Sequence, residues 1–374
     1  MNNRLFLASP HMSDEGYELE YIKDAFNKNW IAPLGENVNE FENAVRQYTG
    51  AKNAVALSAG TAALHLSMIL AGVGRGDMVF CQDLTFSASA NPIAYLGAEA
   101  VYIDSERETW NMDPEALKKA FELYGKPKAV VVVHLYGTPA KLDEICEICK
   151  EYDVPLIEDA AEALGSEYKG RKCGTFGKFG ALSFNGNKII TTSGGGMLLC
   201  EDADDAKHAL KLATQAREPF PWYQHEEIGY NYRLSNISAG IGRGQMKVLD
   251  KRVERKREIC AEYEKAFADL PLTISPCLPD CKPNRWLSTI LLDADCGVTP
   301  TQVIEALQAE NTEARHVWKP MHLQPIFAEC KFVQVADAPV ADDLFNRGVC
   351  LPSDTKMSDA DIQRVIETVR KIMK

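Results

Sequence analysis

The chain has 374 residues, 46% of them hydrophobic and 25% charged, enough to bury one large α/β core with a smaller domain beside it and too apolar for a disordered chain. Lysine and arginine number 41 against 53 aspartates and glutamates, and the net charge of −12 excludes a nucleic-acid backbone or an anionic membrane as an electrostatic partner. An anionic small substrate therefore needs a local basic pocket.

The N-terminal MNNRLFLASPHMSDEG has an apolar stretch too short for a signal-peptide core. No later run reaches the roughly 20 apolar residues of a membrane span, so a cytoplasmic location is expected. From about residue 50 to residue 200, strand-like runs alternate with helical patterns. The expected strands are Asn53 to Ser58, Met78 to Asp83, Ala100 to Asp104, Ala129 to Leu135, Val154 to Asp159, Gly180 to Phe184 and Gly195 to Cys200. Between them lie amphipathic segments such as AALHLSMILAGV and DPEALKKAFELYG, the second opened by Asp113 as N-cap and Pro114 at the first helical position. This alternation predicts a mostly parallel, seven-stranded sheet covered on both faces.

From about residue 235 to 270 a single long charged helix is expected, with Met246, Leu249, Val253, Ile259 and Tyr263 at helical spacing. It would join a large domain of residues 1–250 to a smaller α/β domain of residues 251–374. The smaller domain holds a strand in WLSTILLD, a helix opened by Thr299 and Pro300, and a final helix from about Ser358. The 11 cysteines are expected to be reduced thiols. A zinc site built from the pairs Cys146/Cys149 and Cys277/Cys281 lacks a histidine at ligand spacing and is set aside.

Three segments carry the chemistry. Ser183 to Gly196 reads SFNGNKIITTSGGG and fixes Lys188 on a tight polar turn between an apolar run and three glycines. A lysine held by its surroundings is a candidate for covalent chemistry through its amine, a Schiff-base site, and the Ser183 hydroxyl and a close backbone approach at Gly186 suit a phosphorylated cofactor. In SAGTAAL a strand runs into a helix at Gly60, Thr61 and Ala62, whose N–H groups and dipole favour a phosphate; packing or capping is the alternative use of such a turn. The strand VPLIED delivers Glu158 and Asp159 to the carboxyl edge of the sheet, where open α/β folds bind ligands, with an N-cap role as the alternative for Asp159. The glycine strings GVGRGD and GIGRGQ do not follow a strand and open a helix, which argues against a nicotinamide oxidoreductase.

These segments, with TFSASANPIAYLGA, HLYG, EDAAEALGS, GTFGKFGALSFNGNKIITTSGGGM and GYNYRLSNISAGIG in the same order, resemble the sugar-nucleotide aminotransferases of the DegT/DnrJ/EryC1/StrS family, over nearly the whole chain. The resemblance implies the fold-type I architecture and the cofactor pyridoxal 5′-phosphate, bound as an imine to Lys188 and passing through its pyridoxamine form. It implies that Asp159 faces the pyridine nitrogen, that Gly60, Thr61, Ala62 and Ser183 hold the phosphate, that Phe86 and Ala161 cover the two ring faces, and that Glu162 lies near the ring hydroxyl. Taken without the resemblance, ordinary core is the alternative reading of Phe86, and stabilising a turn before the long helix that of Asn231 and Arg233. The family pattern has Asn231 reach the phosphate of a partner subunit, so a homodimer with shared active sites is expected.

The strings EDAAEALGS, NGNKIITTSGGGM, STILLD and WKPMH are most similar to aminotransferases of bacillosamine synthesis. That likeness implies amino transfer from L-glutamate to a UDP-linked 4-ketosugar, UDP-2-acetamido-2,6-dideoxy-4-ketohexose, for glycan biosynthesis. Arg233, Arg285, Trp286, Arg315, Trp318, Lys319 and His322 are the expected substrate contacts, and the basic ones would supply the local positive pocket that a diphosphate needs. A related branch performs dehydration with histidine in place of the lysine, which Lys188 argues against. A non-catalytic binding protein on the same scaffold is the other alternative, and the complete cofactor set argues against it.

Overall fold

A computed structural model describes residues 3–374. All seven expected strands are present, and they belong to an eight-stranded sheet. In spatial order its strands are Asn53–Leu57, Gly196–Cys200, Phe179–Ser183, Leu156–Asp159, Ala129–Val133, Met78–Gln82, Glu99–Ile103 and Lys331–Val333. Gly196–Cys200 runs antiparallel to both of its neighbours, and the remaining pairings are parallel. The eighth strand, Lys331–Val333, pairs with Glu99–Ile103. Its three residues are too short a run to show a period in the sequence.

Both faces of the sheet are covered, so a strand such as Ala129–Val133 is buried at every position and reads as a continuous apolar run. On one side lies the helix Gly60–Leu70, apolar on nearly all its faces and packed among Val79, Cys81, Val131 and Ala181. The other side is covered by the helices Pro114–Tyr124 and Leu142–Glu151. Asp113 caps the first of these by accepting from Glu115 N at 2.9 Å, with Pro114 at the first position.

The single helix expected from 235 to 270 is two helices, Asn236–Met246 and Leu249–Ala266. Three glycines in the first let the N-terminal helices Tyr17–Asn27 and Glu36–Thr49 come very close: a Cβ at Gly244 would lie 2.6 Å from Glu18 N, and one at Gly242 2.6 Å from the Phe41 ring. The first helix is thus held by the large sheet's surroundings, whereas the second carries Ile259 and Tyr263 into the core of a different sheet. No proline or glycine marks the break at Lys247 and Val248, which is why the charged pattern reads through it.

That second sheet is antiparallel, in the order Leu272–Ile274, Ser288–Leu292, Gly348–Leu351 and Arg315–His316. The helices Pro300–Ala309 and Asp359–Ile372 cover it, each opened by a capping box, at Thr299 with Gln302 and at Ser358 with Asp361. Leu5 from the N-terminal segment joins this core. The 11 cysteines are free thiols, and among the described residues no helix is long and apolar enough to cross a membrane.

Candidate active site

Strand register brings the key segments to one edge. Leu57 lies opposite Gly196, and Gly196 opposite Ser183, while Asp159 lies opposite Ala181 on the other side of the Ser183 strand. Adjacent carboxylates on a strand point to opposite faces, and here they take different work. Glu158 is fully buried and accepts from Gly174 N at 2.7 Å, Phe176 N at 2.6 Å, Gly177 N at 2.7 Å and His134 Nε2 at 2.9 Å. Because Ala140 N donates to His134 Nδ1 at 3.2 Å, the imidazole proton belongs on Nε2. Glu158 is therefore spent on structure. Asp159 opens onto a cavity of about 340 Å³, its Oδ2 accepting from Ser89 Oγ at 2.6 Å and its Oδ1 from Ala161 N at 3.1 Å. The capping alternative thus holds for one oxygen only.

The helix Gly60–Leu70 starts at the same cavity with no side-chain cap. Ala62 N already donates to Ala59 O at 3.1 Å, and among the described residues the amides of Gly60 and Thr61 have no partner. A Cβ at Gly60 would sit 2.9 Å from Ser183 Cβ, and one at Gly196 2.3 Å from the Ala59 carbonyl carbon. These two glycines keep open a cradle of two free amides and the Ser183 hydroxyl, at the positive end of a helix, which suits a phosphate. Ala62 is buried behind the cavity with its amide donating to Ala59 O. Within the protein the close backbone approaches fall at Gly60 and Gly196, whereas Gly186 has no protein atom near its Cβ position.

Lys188 rises from a turn closed by its own N–H to Asn185 O at 3.0 Å. Its Nζ lies 3.5 Å from Glu162 Oε1 and 4.0 Å from the centre of the Trp286 ring. The other Glu162 oxygen accepts from Tyr136 N at 2.7 Å. Burial raises the Glu162 carboxyl above its ordinary range, and the Lys188 ammonium pulls only part of that back. Tyr136 is buried with φ at +53°, a strained setting for a large side chain, and its ring stacks between Trp286 and Trp318. Its hydroxyl accepts from Trp318 N at 2.8 Å, while Trp286 Nε1 donates to Asn187 O at 2.7 Å. Phe86, 52% exposed, stands at the mouth with its ring 5.4 Å from that of Trp318. An exposed ring at a cavity mouth is not core.

The cavity thus gathers Gly60, Thr61, Phe86, Asp159, Ala161, Glu162, Ser183, Lys188, Trp286 and Trp318. Five of the basic candidates lie elsewhere. Arg233 binds Glu42 and Ala56 O behind the first strand, Arg285 donates to Ser275 O at 2.7 Å, and Arg315 pairs with Glu313 on the surface. His322 is clamped by Asp83 on Nδ1 and Asp342 on Nε2; burial works against its charge, and the Asp83 carboxylate outweighs that and raises its pKa. Lys319 is exposed beside Trp318 and makes no ion pair among the described residues. Asn231 is also exposed, is not among the residues lining this chain's cavity, and sits on an isolated bridge to Thr214.

Ser89, Tyr136 and Asn187 are contributors without an assigned role in the sequence reading. Their only signal lay in the strings TFSASA, HLYG and NGNK, where no pattern says which hydroxyl meets Asp159. The residues present fit pyridoxal 5′-phosphate: an amine for the aldehyde, a buried carboxylate for the ring nitrogen, and free amides with a hydroxyl for the phosphate.

The model of the DegT/DnrJ/EryC1/StrS aminotransferase family matches residues 13–370. EpsN of Bacillus subtilis, provisionally named a pyridoxal phosphate-dependent aminotransferase, is 51% identical over 99% of this chain and 96% of its own length. GDP-perosamine synthase of Caulobacter vibrioides is 35% identical over 99% of this chain and 98% of its own length. The solved structure of DesI, determined in the presence of its TDP-sugar product, aligns with a TM-score of 0.90 at 28% identity over 100% of this chain and 94% of that one. With a lysine, a carboxylate and a phosphate cradle converging on one cavity, the chain belongs to the DegT/DnrJ/EryC1/StrS family and is a pyridoxal phosphate-dependent sugar aminotransferase.

Proposed function

We propose that the chain moves an amino group from L-glutamate to a nucleotide-linked 4-ketosugar, with UDP-2-acetamido-2,6-dideoxy-4-ketohexose as the acceptor and the 4-amino sugar as product. The observation that carries the reaction type is the placement of Lys188 Nζ, 3.5 Å from Glu162 and inside the cavity that Asp159 and Ser183 share. The cofactor, when bound, supplies the aldehyde that takes up nitrogen and a ring that absorbs the electrons of a broken C–H bond. Lys188 Nζ takes the proton from the donor Cα and would return it to the carbon of the cofactor's aldehyde group, two bonds away across the transferred nitrogen, then reverse the transfer for the acceptor. Asp159, as a carboxylate, keeps the ring nitrogen protonated through a charge-assisted hydrogen bond. Trp286 and the aromatic stack behind it keep water away from Lys188 on that side.

The UDP choice rests on the bacillosamine-type strings, since the relatives' names include GDP and TDP sugars. Asn231 is proposed to act across a homodimer. Phe220, Trp222, Tyr223 and Ile228, all exposed on the loop before it, supply apolar surface for a second copy to cover. Residues 1–250 and 251–374 are proposed as the two domains.

Reconstituted protein is expected to show the absorbance band of lysine-bound cofactor and to lose it when L-glutamate is added. Supplied next with 4-ketosugars linked to UDP, GDP or dTDP, it should recover the band with the UDP sugar and release an amino sugar. A colourless protein overturns the cofactor assignment, and recovery only with GDP or dTDP sugars overturns the acceptor. Asn231→Ala should weaken cofactor retention, and a fully active monomer in sedimentation overturns the shared site.

A further inference from the structure

Asp159 is 4% exposed, so bulk water does not set its orientation. The chain does. Ser89 Oγ donates to Oδ2 at 2.6 Å, Ala161 N donates to Oδ1 at 3.1 Å, and Thr85 Oγ1 lies 2.7 Å from Ser89 Oγ. A hydroxyl has a single proton, and an ionised carboxylate can only accept. With the Ser89 proton committed to Asp159, the Thr85 hydroxyl must be the donor to Ser89. The direction of the chain is fixed: Thr85 to Ser89 to Asp159.

Both hydroxyls are fully buried, at 1% and 0% exposure, so they replace water around the carboxylate. They come from the loop after the strand Met78–Gln82, where Ser89 N donates to Phe86 O at 3.1 Å in the turn Ser87–Ser89. Two bonds on opposite oxygens prevent rotation of the carboxylate about its Cβ–Cγ bond, and Asp159 lines the cavity in that orientation. The same turn carries Phe86 to the mouth of that cavity. The other titratable groups near Asp159 are Cys81 on Met78–Gln82, two strands away in the sheet, Glu162, and Lys188, which lines the same cavity.

We propose that Ser89 and Thr85 are positioning residues that hold Asp159 in one orientation toward the cofactor's ring nitrogen, a role that rests on the assignment of Asp159 to that nitrogen. A hydroxyl that donates to Oδ2 gives the ring nitrogen a partner fixed in one orientation. Ser89 does not line the cavity, whereas Thr85 does.

Two readouts other than turnover test this: the equilibrium affinity of the apo-protein for pyridoxal 5′-phosphate, and the pH midpoint of the bound cofactor's absorbance band. Ser89→Ala is expected to weaken affinity about tenfold, the scale of one lost charge-assisted hydrogen bond, and to move the midpoint by about one pH unit. Thr85→Val, which keeps the shape and removes the second hydroxyl, should move both in the same direction by less, and Ser89→Thr and Thr85→Ser should restore them. Asp159→Asn separates the two levels. If Asp159→Asn shifts both readouts while Ser89→Ala and Thr85→Val leave them at wild-type values, the relay is wrong and the Asp159 assignment stands. If Asp159→Asn changes neither readout, the assignment falls and the relay with it. Should Ser89→Ala fail to fold, Thr85→Val carries the test alone, and wild-type behaviour there overturns the proposal.

Discussion

The cavity has two walls built in different ways. On the sheet side, Asp159, Ser183 and the start of the helix Gly60–Leu70 ride on backbone whose spacing is set by ladder register and by glycines with no room for a Cβ. On the other side, Trp286 and Trp318 come from segments far along the chain and are held by side-chain contacts through Tyr136, Asn187 and Lys256. A wall made of backbone fixes atoms to the tolerance that covalent chemistry needs. A wall made of stacked rings can tolerate exchange, which would suit the side proposed to meet the sugar nucleotide. Changes on the first wall should therefore abolish function, and changes on the second should tune it.

The largest expected effect is at the first wall's reactive group. Lys188→Ala should cut amino transfer by at least about a thousandfold, the scale of losing a positioned acid–base group, with the far-ultraviolet circular dichroism unchanged. A loss of less than about tenfold would move the proton transfer to another residue. Gly196→Ala comes next, because its Cβ would meet the Ala59 carbonyl carbon at 2.3 Å and Gly60 N at 2.5 Å, both of them backbone. It is expected to destabilise the fold by about 1–3 kcal/mol and to loosen the phosphate cradle. Gly186→Ala, in open space, is the control, and its thermal midpoint should stay at wild type.

The same division explains what could be read without coordinates. Apolar runs bounded by turns place Asp159, Gly60 and Lys188 at strand ends, because register and crossover rules leave little choice of where those ends go. Trp286 and Trp318 also reach the cavity. Arg233, Arg285, Arg315 and His322 do not line it, because a basic side chain goes to whichever carboxylate or carbonyl the fold presents. Glu42, Ser275 O, Glu313 and Asp83 claim them through contacts up to 239 residues apart in sequence. The helix break at Lys247 and Val248 is hidden for a similar reason: the two helices it separates pack in different surroundings, Gly242 and Gly244 against the N-terminal helices and Ile259 and Tyr263 in the second sheet's core, and no proline or glycine stands at the break.

On the second wall, Lys256 gives a prediction in pH. It is fully enclosed and donates to Trp286 O at 2.9 Å and Ser353 O at 2.6 Å. Burial pushes its amine down from 10.5 to about 7, with Asp354 opposing. Between those values the unfolded chain binds a proton that the folded chain does not, so stability rises with pH across the window and is lost as pH falls toward 7. Lys256→Met should lower the melting temperature, since two carbonyls lose a donor, yet flatten its dependence on pH over that range. An unchanged slope would mean that Lys256 stays charged in the fold.

The smallest effect separates the basic residues themselves. Lys319 is exposed next to Trp318 and has no ion pair among the described residues, whereas Arg315 is tied to Glu313 at 2.8 Å on the surface. An exposed cation contributes up to about 1 kcal/mol to an anion in water, so Lys319→Ala should raise KM for the sugar nucleotide by about threefold to fivefold with kcat little changed. Raising ionic strength should narrow that gap, because exposed charges are screened. Arg315→Ala should leave KM within about twofold of wild type, as its pair with Glu313 is of the solvated kind whose loss is barely measurable. If Arg315→Ala raised KM and Lys319→Ala did not, the diphosphate would have to lie along the Arg315–His316 strand. The ring-lined wall at Trp318 would then not be the one that meets the nucleotide.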